Sequence, residues 1–405
     1  MNEIKTNTNC RVCGSENLSI AIDLGTQSLT GVFLKNGASV DKFNISLSTC
    51  EDCGLLQINE VYDLDLLYGD GYGYESSLNA SMVEHLKLKA ESLKKLISLK
   101  ADDVVIDIGS NDATTLGFFD DSLVKIGVDI SGSKFVEKYK ENKSTLIADF
   151  FPTEKLSPIL KGKEAKIVSS YSCFYDLPDP VYFAKEISRI LANNGVWCLE
   201  QSYLPSMLDT NSFDTICHEH IEYYKLQDIK NICDQAGLEI KDIEFNAING
   251  GSFSVLVGHQ NDTITVNPSV KCILDKEKKT DWKIEISNFN LRISELKTET
   301  LKKLEDLKSN GKRVAGIGAS TKGNVLLQYY GIDSNLIESI GEVNPNKYGC
   351  ETPGTGIPIL SQKELLKTKP DYLFILPWHF RDFFISNEEF RNFSLIFPLP
   401  NLEII

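Results

Sequence analysis

No apolar run in this sequence approaches the roughly 20 residues needed to cross a bilayer. The N-terminal stretch "MNEIKTNTNC" also lacks the apolar segment of a signal peptide. Without an export signal the ten cysteines read as thiols or metal ligands, not disulfides, and a cytoplasmic location is expected. Positive charge is short: 42 Lys and Arg stand against 57 Asp and Glu, for a net charge of −15. That deficit argues against nucleic acid as a partner, because a phosphate backbone needs a basic face. Repeats and low-complexity tracts are missing too. What remains, 42% hydrophobic and 24% charged over 405 residues, suits a globular protein of two or three domains. Histidine is scarce, with five in the chain, yet two lie one residue apart in "DTICHEHIEYY" (214–224).

The cysteines divide the chain first. Cys10-x2-Cys13 and Cys50-x2-Cys53 both run on into glycine, as "CRVCG" and "CEDCG". Such a turn aims two sulfurs at one cation, and two turns complete a tetrahedral S4 site. One structural zinc per chain is expected, in an N-terminal domain over 1–70. Four thiolates leave no open position for catalysis.

From 71 to 260, strand patterns alternate with helical ones, and 81–100 has helical spacing. A parallel, doubly wound, Rossmann-like sheet follows from that alternation. "DDVVIDIGSND" is a strand entering a glycine turn, with a helix expected after it; Asp129 ends the next strand, 22 residues beyond Asp107. Asp107, Gly109, Asn111 and Asp112 form the candidate turn. Asp129 is placed to take ribose hydroxyls, and Asp149 with Phe150 to take an adenine. Asn111 and Ala113 stand where a dinucleotide fingerprint has glycines. That favours S-adenosylmethionine, which has no pyrophosphate to admit.

A charged helix is expected over 275–310, within a C-terminal domain covering 261–405. "GIGASTKGN" (316–324) lacks the Gly-Lys-Ser/Thr of a Walker loop, but offers small residues, a lysine and a helix start. Ser320, Lys322 and Asn324, with Lys347 from a later loop, are candidates for holding a phosphate-bearing ligand.

The segment "CHEHIEYY" leaves three readings open: a metal site, a polar helix start or domain seam, and a catalytic base. Metal is disfavoured, since His218 and His220 would point to opposite sides of a strand and no P-C-x-x-C follows. Cys217 reads as a packed thiol, and His85 and His379 as structural. No role is given to His259.

These motifs in this order resemble the bacterial sugar C-methyltransferases acting on nucleotide-linked 4-keto-6-deoxy sugars. The resemblance spans nearly the whole chain, and "NSFDTICHEHIEYY" is its most specific piece. It implies an α/β architecture: a Rossmann-like methyltransferase domain flanked by a zinc-binding domain and a second α/β domain that helps hold the nucleotide diphosphate. It implies methylation at C3 of a dTDP- or GDP-linked sugar, with S-adenosylmethionine as donor and His220 as base. Glu219 and His220 match the family's active-site pair. Glu222 and Tyr223 are its neighbours, and Tyr74, with Tyr72 as competitor, matches an active-site tyrosine. Two departures stand out. Phe174 or Tyr175 occupies a loop where the family often has histidine, and its "HGGS" is here Asn249-Gly250-Gly251-Ser252. A monomer or weak homodimer, without membrane, is expected. The rivals are a small-molecule O-methyltransferase and a zinc-ribbon nucleic-acid methyltransferase.

Overall fold

The computed structural model describes residues 5–35, 40–61 and 74–405. Three sheets of four or more strands, with two small two-stranded ones, organise the described residues. The N-terminal sheet is antiparallel, with Leu18–Ser28, Lys42–Cys50 and Leu56–Ile58 in turn. Its edge is completed from far along the chain by Glu222–Tyr223, which pairs with Leu56 and Gln57. The run "CHEHIEYY" is therefore bonded directly to the zinc-binding unit.

The central sheet has seven strands. Val104–Ile108, Val124–Val128, Thr145–Ile147, Ala165–Tyr171 and Leu191–Ser202 are parallel. The uninterrupted burial of Val104–Ile108 fits a strand covered on both faces. The sheet is not wholly parallel, however. Leu238–Asn246 turns back through the short Ile248–Gly250 segment into Ser252–His259, which runs antiparallel to both neighbours. A hairpin this short cannot make a parallel crossover.

The third sheet has six strands, parallel except for the terminal Glu403–Ile404. Val314–Ile317 leads through Ser320 into the helix Thr321–Tyr330, as the spacing predicts. The helix expected over 275–310 is two helices, Pro268–Lys279 and Trp282–Ser309. The break falls at Asp281, whose carboxylate accepts from the Lys283 and Ile284 amides and so starts a new helix. The first helix packs with the central sheet's core, through Val270, and the second with the N- and C-terminal units, through Phe289 and Ile293. The helix over 81–100 is Ala80–Leu96. Among the described residues no helix is long and apolar enough to cross a membrane.

Candidate functional site

Cys10, Cys13, Cys50 and Cys53 converge, with all four sulfurs within 4.8 Å of one another. Cys10 and Cys53 Sγ are 3.4 Å apart, and Cys13 and Cys50 Sγ 3.5 Å. Tetrahedral thiolates at the usual Zn–S distance lie roughly 3.8 Å apart, so the donor set fits zinc without rearrangement. Each knuckle closes the same way: Gly14 N–H donates to the Cys10 carbonyl and Gly54 N–H to that of Cys50.

The first glycine turn is built differently from expectation. No α-helix follows Val104–Ile108; only the 3-10 turn Leu116–Phe118 does. Asn111 (φ 46°) and Ala113 (φ 61°) take left-handed backbone where glycines were missed, and these angles interrupt any helix. The Gly109, Asn111, Ala113 and Thr114 amides donate to Val128, Asp129, Ser110 and Asp112, so the turn is braced from within and lacks a helix end. Gly109 (φ 70°) is needed for space as well, since a Cβ there would meet Cys173 at 2.9 Å. Asp107 is buried and accepts from Ser169 Oγ at 2.6 Å; burial, opposed by Ser169 and Thr115, raises its pKa to about 7. Asp129 accepts from the amides of Asn111 (2.8 Å) and Ser131 (2.7 Å). Ser131 Oγ also donates to Oδ1 at 2.6 Å, so Asp129 braces the turn and keeps spare accepting capacity on Oδ2 alone. Asp149 holds Phe150 N–H and Thr153 Oγ1 at 2.9 Å and pairs with Lys155, beside the half-exposed Phe150 ring. Asp129, Asp149 and the Phe150 ring suit the ribose and adenine parts of S-adenosylmethionine.

Asn111 and Asp112 have a second duty. They accept from the amides of Ser76 and Ser77, and Asn111 Nδ2 donates to the Tyr74 carbonyl at 3.1 Å. Tyr74 thus sits at the cofactor turn, 44% exposed, and its contacts do not join it to His220. Tyr72 lies outside the described residues.

Around His220 the chain forms a turn, not the strand expected of His218 and His220. His220 Nδ1 lies 2.8 Å from the Thr215 carbonyl, and its ring is 4.2 Å from that of Tyr175. A carbonyl only accepts, so Nδ1 carries the proton and Nε2 keeps its lone pair. Burial first, then the Lys322 cation, lowers the His220 pKa to about 4. His220, Tyr175, Thr215, Ser202 and Glu222 border a small cavity with room for about one water.

The Thr215 carbonyl, not a glutamate, orients the His220 ring. Glu219 turns toward the N-terminal unit, where a Cβ on Gly31 would meet its Oε1 at 2.8 Å, and burial raises its pKa. Glu222 is fully buried, its pKa pushed well up by burial and drawn back by Arg11. Tyr223 donates to the His220 carbonyl at 2.9 Å, which holds the turn and leaves its hydroxyl no proton to offer a ligand. His218 is buried against Phe43.

Lys322 lies in the first turn of its helix and reaches inward, donating to the Asn249 carbonyl at 2.6 Å. Burial lowers its pKa, opposed by Asp214. Asn249 (φ 55°) also donates to Ser172 Oγ at 3.3 Å, so this residue joins the second and third units. Ser320 caps the same helix through the Gly323 amide. Lys347 donates to the Ala319 carbonyl at 2.6 Å beneath the Phe33 ring. Asn324 does not face a ligand: it is fully buried and donates to the Thr30 carbonyl at 2.6 Å. Sequence reasoning missed Asp214, whose Oδ2 accepts from Trp378 Nε1 at 2.8 Å. His85, read as structural, places Nε2 2.6 Å from Glu200 Oε1. Tryptophan and aspartate far apart in sequence carry no motif that would pair them.

Comparison with known proteins agrees with this assembly. Three domain families match in succession: a zinc binding domain at 10–68, a methyltransferase domain at 82–243 and a C-methyltransferase C-terminal domain at 247–400. C-methyltransferase NovU of Streptomyces niveus is 28% identical over 98% of this chain and 96% of its own. Among solved structures, a S-adenosylmethionine-dependent methyltransferase from Clostridium acetobutylicum is 11% identical at TM-score 0.34, covering 48% of this chain and 95% of its own. The CcbJ methyltransferase from Streptomyces caelestis is 13% identical at TM-score 0.33, covering 42% and 88%. The chain carries these three domains in succession, is similar over nearly its whole length to a C-methyltransferase, and is an S-adenosylmethionine-dependent methyltransferase with a structural zinc site.

Proposed function

We propose that this enzyme methylates C3 of a nucleotide-linked 4-keto-6-deoxy sugar, and that His220 removes the C3 proton. The ketone acidifies that hydrogen, and a neutral imidazole is the base required. The observation that carries the reading is the tautomer: Thr215 fixes the proton on Nδ1, so Nε2 is the basic nitrogen in a site bordered by Tyr175 and Ser202. The proton moves from C3 to Nε2 while the electron pair becomes the enolate. When bound, S-adenosylmethionine supplies a methyl group on a sulfonium, which leaves without needing a proton. The cofactor would be held by the 107–112 turn, Asp129, Asp149 and Phe150. The sugar's diphosphate would lie against Lys322, Ser320 and Lys347. The domain limits 1–70, 71–260 and 261–405 belong to this proposal, as does a cytoplasmic monomer or weak homodimer.

The test is solvent-deuterium exchange at the sugar carbon, without S-adenosylmethionine, over a panel of dTDP- and GDP-linked 4-keto sugars. Wild type should exchange the hydrogen, and His220→Ala should not. Equal exchange by both would move the proton to another base. Methyl transfer to the 4-hydroxy analogue would identify an O-methyltransferase instead.

A further inference from the structure

Arg11 occupies the interior of the first zinc knuckle, between Cys10 and Cys13. Surface knuckles spend such a position on solvent, but here the side chain turns inward and is only 1% exposed. Its Nε lies 3.6 Å from Glu222 Oε1, on a side chain that is 0% exposed. Its Nη1 donates to the Ile58 carbonyl, and its backbone amide donates to Gln57 Oε1 at 3.0 Å. Those two residues carry the strand that holds the catalytic segment. Gln57 is the register partner of Glu222, and Ile58 N–H donates to the Ile221 carbonyl at 2.8 Å. Glu222 borders the same small cavity as His220, two residues away.

A buried guanidinium is costly unless charge and hydrogen bonds compensate it, and removing one partner of a buried pair is strongly felt. The knuckle can supply that compensation, because four thiolates around one dication leave a net negative centre. The Glu222 carboxyl lies beside the guanidinium, which draws it toward its ionised form against the effect of burial. The guanidinium stands between the metal site and the catalytic turn, and the path from Cys10 to His220 runs through a single side chain and one strand.

We propose that Arg11 is a positioning residue that couples the zinc knuckle to the catalytic turn, fixing Glu222 and the Leu56–Ile58 strand and through them the placement of His220. The proposal rests on the reading of His220 as the base. It gives the zinc unit a part in catalysis without placing the metal near the reaction. A small displacement suffices for a large effect, since a misplacement of about 1 Å can cost about a hundredfold in rate.

Arg11→Met tests it. The variant should keep one zinc by metal analysis and keep its S-adenosylmethionine affinity by calorimetry. Its kcat should fall about ten- to a hundredfold with KM for the nucleotide sugar nearly unchanged. Added ethylguanidinium should restore part of kcat, and backbone amides over 221–224 should exchange faster with deuterium. A merely structural arginine would show neither the rescue nor the split between kcat and KM. Arg11→Lys, which keeps the charge and loses the fork, covers the case in which Arg11→Met does not fold; it should retain zinc and fall between the two. Full kcat in either zinc-loaded variant overturns the proposal. So does loss of zinc in step with loss of kcat, which would confine Arg11 to the metal site. The amide-exchange readout needs no substrate, so it stands even if the sugar-carbon exchange assay rejects His220 as the base.

Discussion

His220 Nδ1 and the Thr215 carbonyl oxygen are 2.8 Å apart, and that one contact decides which ring nitrogen keeps its lone pair for the proposed role as base. The imidazole is held neutral by burial and by Lys322, with its pKa lowered to about 4. A base acts in its unprotonated form, so kcat/KM should stay flat for this group through neutrality and fall only in acid. Lys322→Met removes the neighbouring cation and should move the acid limb upward, toward the ordinary histidine value. A bound diphosphate would neutralise Lys322 likewise, so the limb in kcat should lie above that in kcat/KM. Lys322→Met should also raise KM more than it lowers kcat, as expected of a remote phosphate contact. An acid limb that Lys322→Met leaves in place would break the electrostatic link between the two residues.

Zinc should be stoichiometric and structural. Cys50 is fully buried at the end of its strand, with its sulfur 3.5 Å from that of Cys13. Cys50→Ser should lose the metal and lower the melting temperature, because structural zinc contributes folding free energy directly. Atomic absorption and thermal unfolding of the purified variant measure both. Retention of one zinc with unchanged stability would exclude the four-thiolate assignment.

Local patterns made much of this molecule readable in advance. The two knuckles show in five residues each, and the helix Ala80–Leu96 and the strand–turn–helix at 314–330 announce themselves by spacing. What could not be read is long-range or main-chain. The pairing of Glu222 with Gln57 joins residues 165 positions apart, and it ties the turn that holds His220 to the N-terminal sheet. Thr215 acts through its carbonyl, which every residue possesses, so no residue type betrays it. Arg11 looks like a solvated knuckle residue until the fold turns it inward. The antiparallel Ser252–His259 has the same apolar pattern as a parallel strand, and only the hairpin before it sets its direction.

Asp129 braces its turn and is the proposed partner of the cofactor ribose. It accepts from the Asn111 and Ser131 amides, and its carboxylate is the acid expected at a cofactor ribose. Asp129→Ala should weaken S-adenosylmethionine binding by more than about tenfold, since charge-assisted contacts are lost and the turn loosens. Asp129→Asn, which retains one acceptor for the turn, separates the two parts: it should hold the melting temperature better than alanine yet still bind weakly. Calorimetry showing unchanged affinity in Asp129→Ala would remove this residue from the cofactor site.

His218 should govern acid stability rather than catalysis. It is fully buried, and burial lowers its pKa from the ordinary 6.5 to about 4, opposed by a backbone hydrogen bond at Phe43. Between those values the unfolded chain binds a proton that the folded chain refuses. Stability from this group is therefore complete above pH 6.5 and is lost as pH falls toward 4. The shift corresponds to about 3 kcal/mol at full loss. His220 and His379, also lowered by burial and by Lys322, add to the same slope. His218→Gln cannot be protonated. It should be less stable than wild type at pH 7, through poorer packing on Phe43, and the deficit should shrink or reverse at pH 4.5. Urea unfolding of both proteins at the two pH values measures it. A deficit that stays constant with pH would mean that His218 titrates normally in the folded chain, and that the turn holding His220 is more open to water than its burial implies.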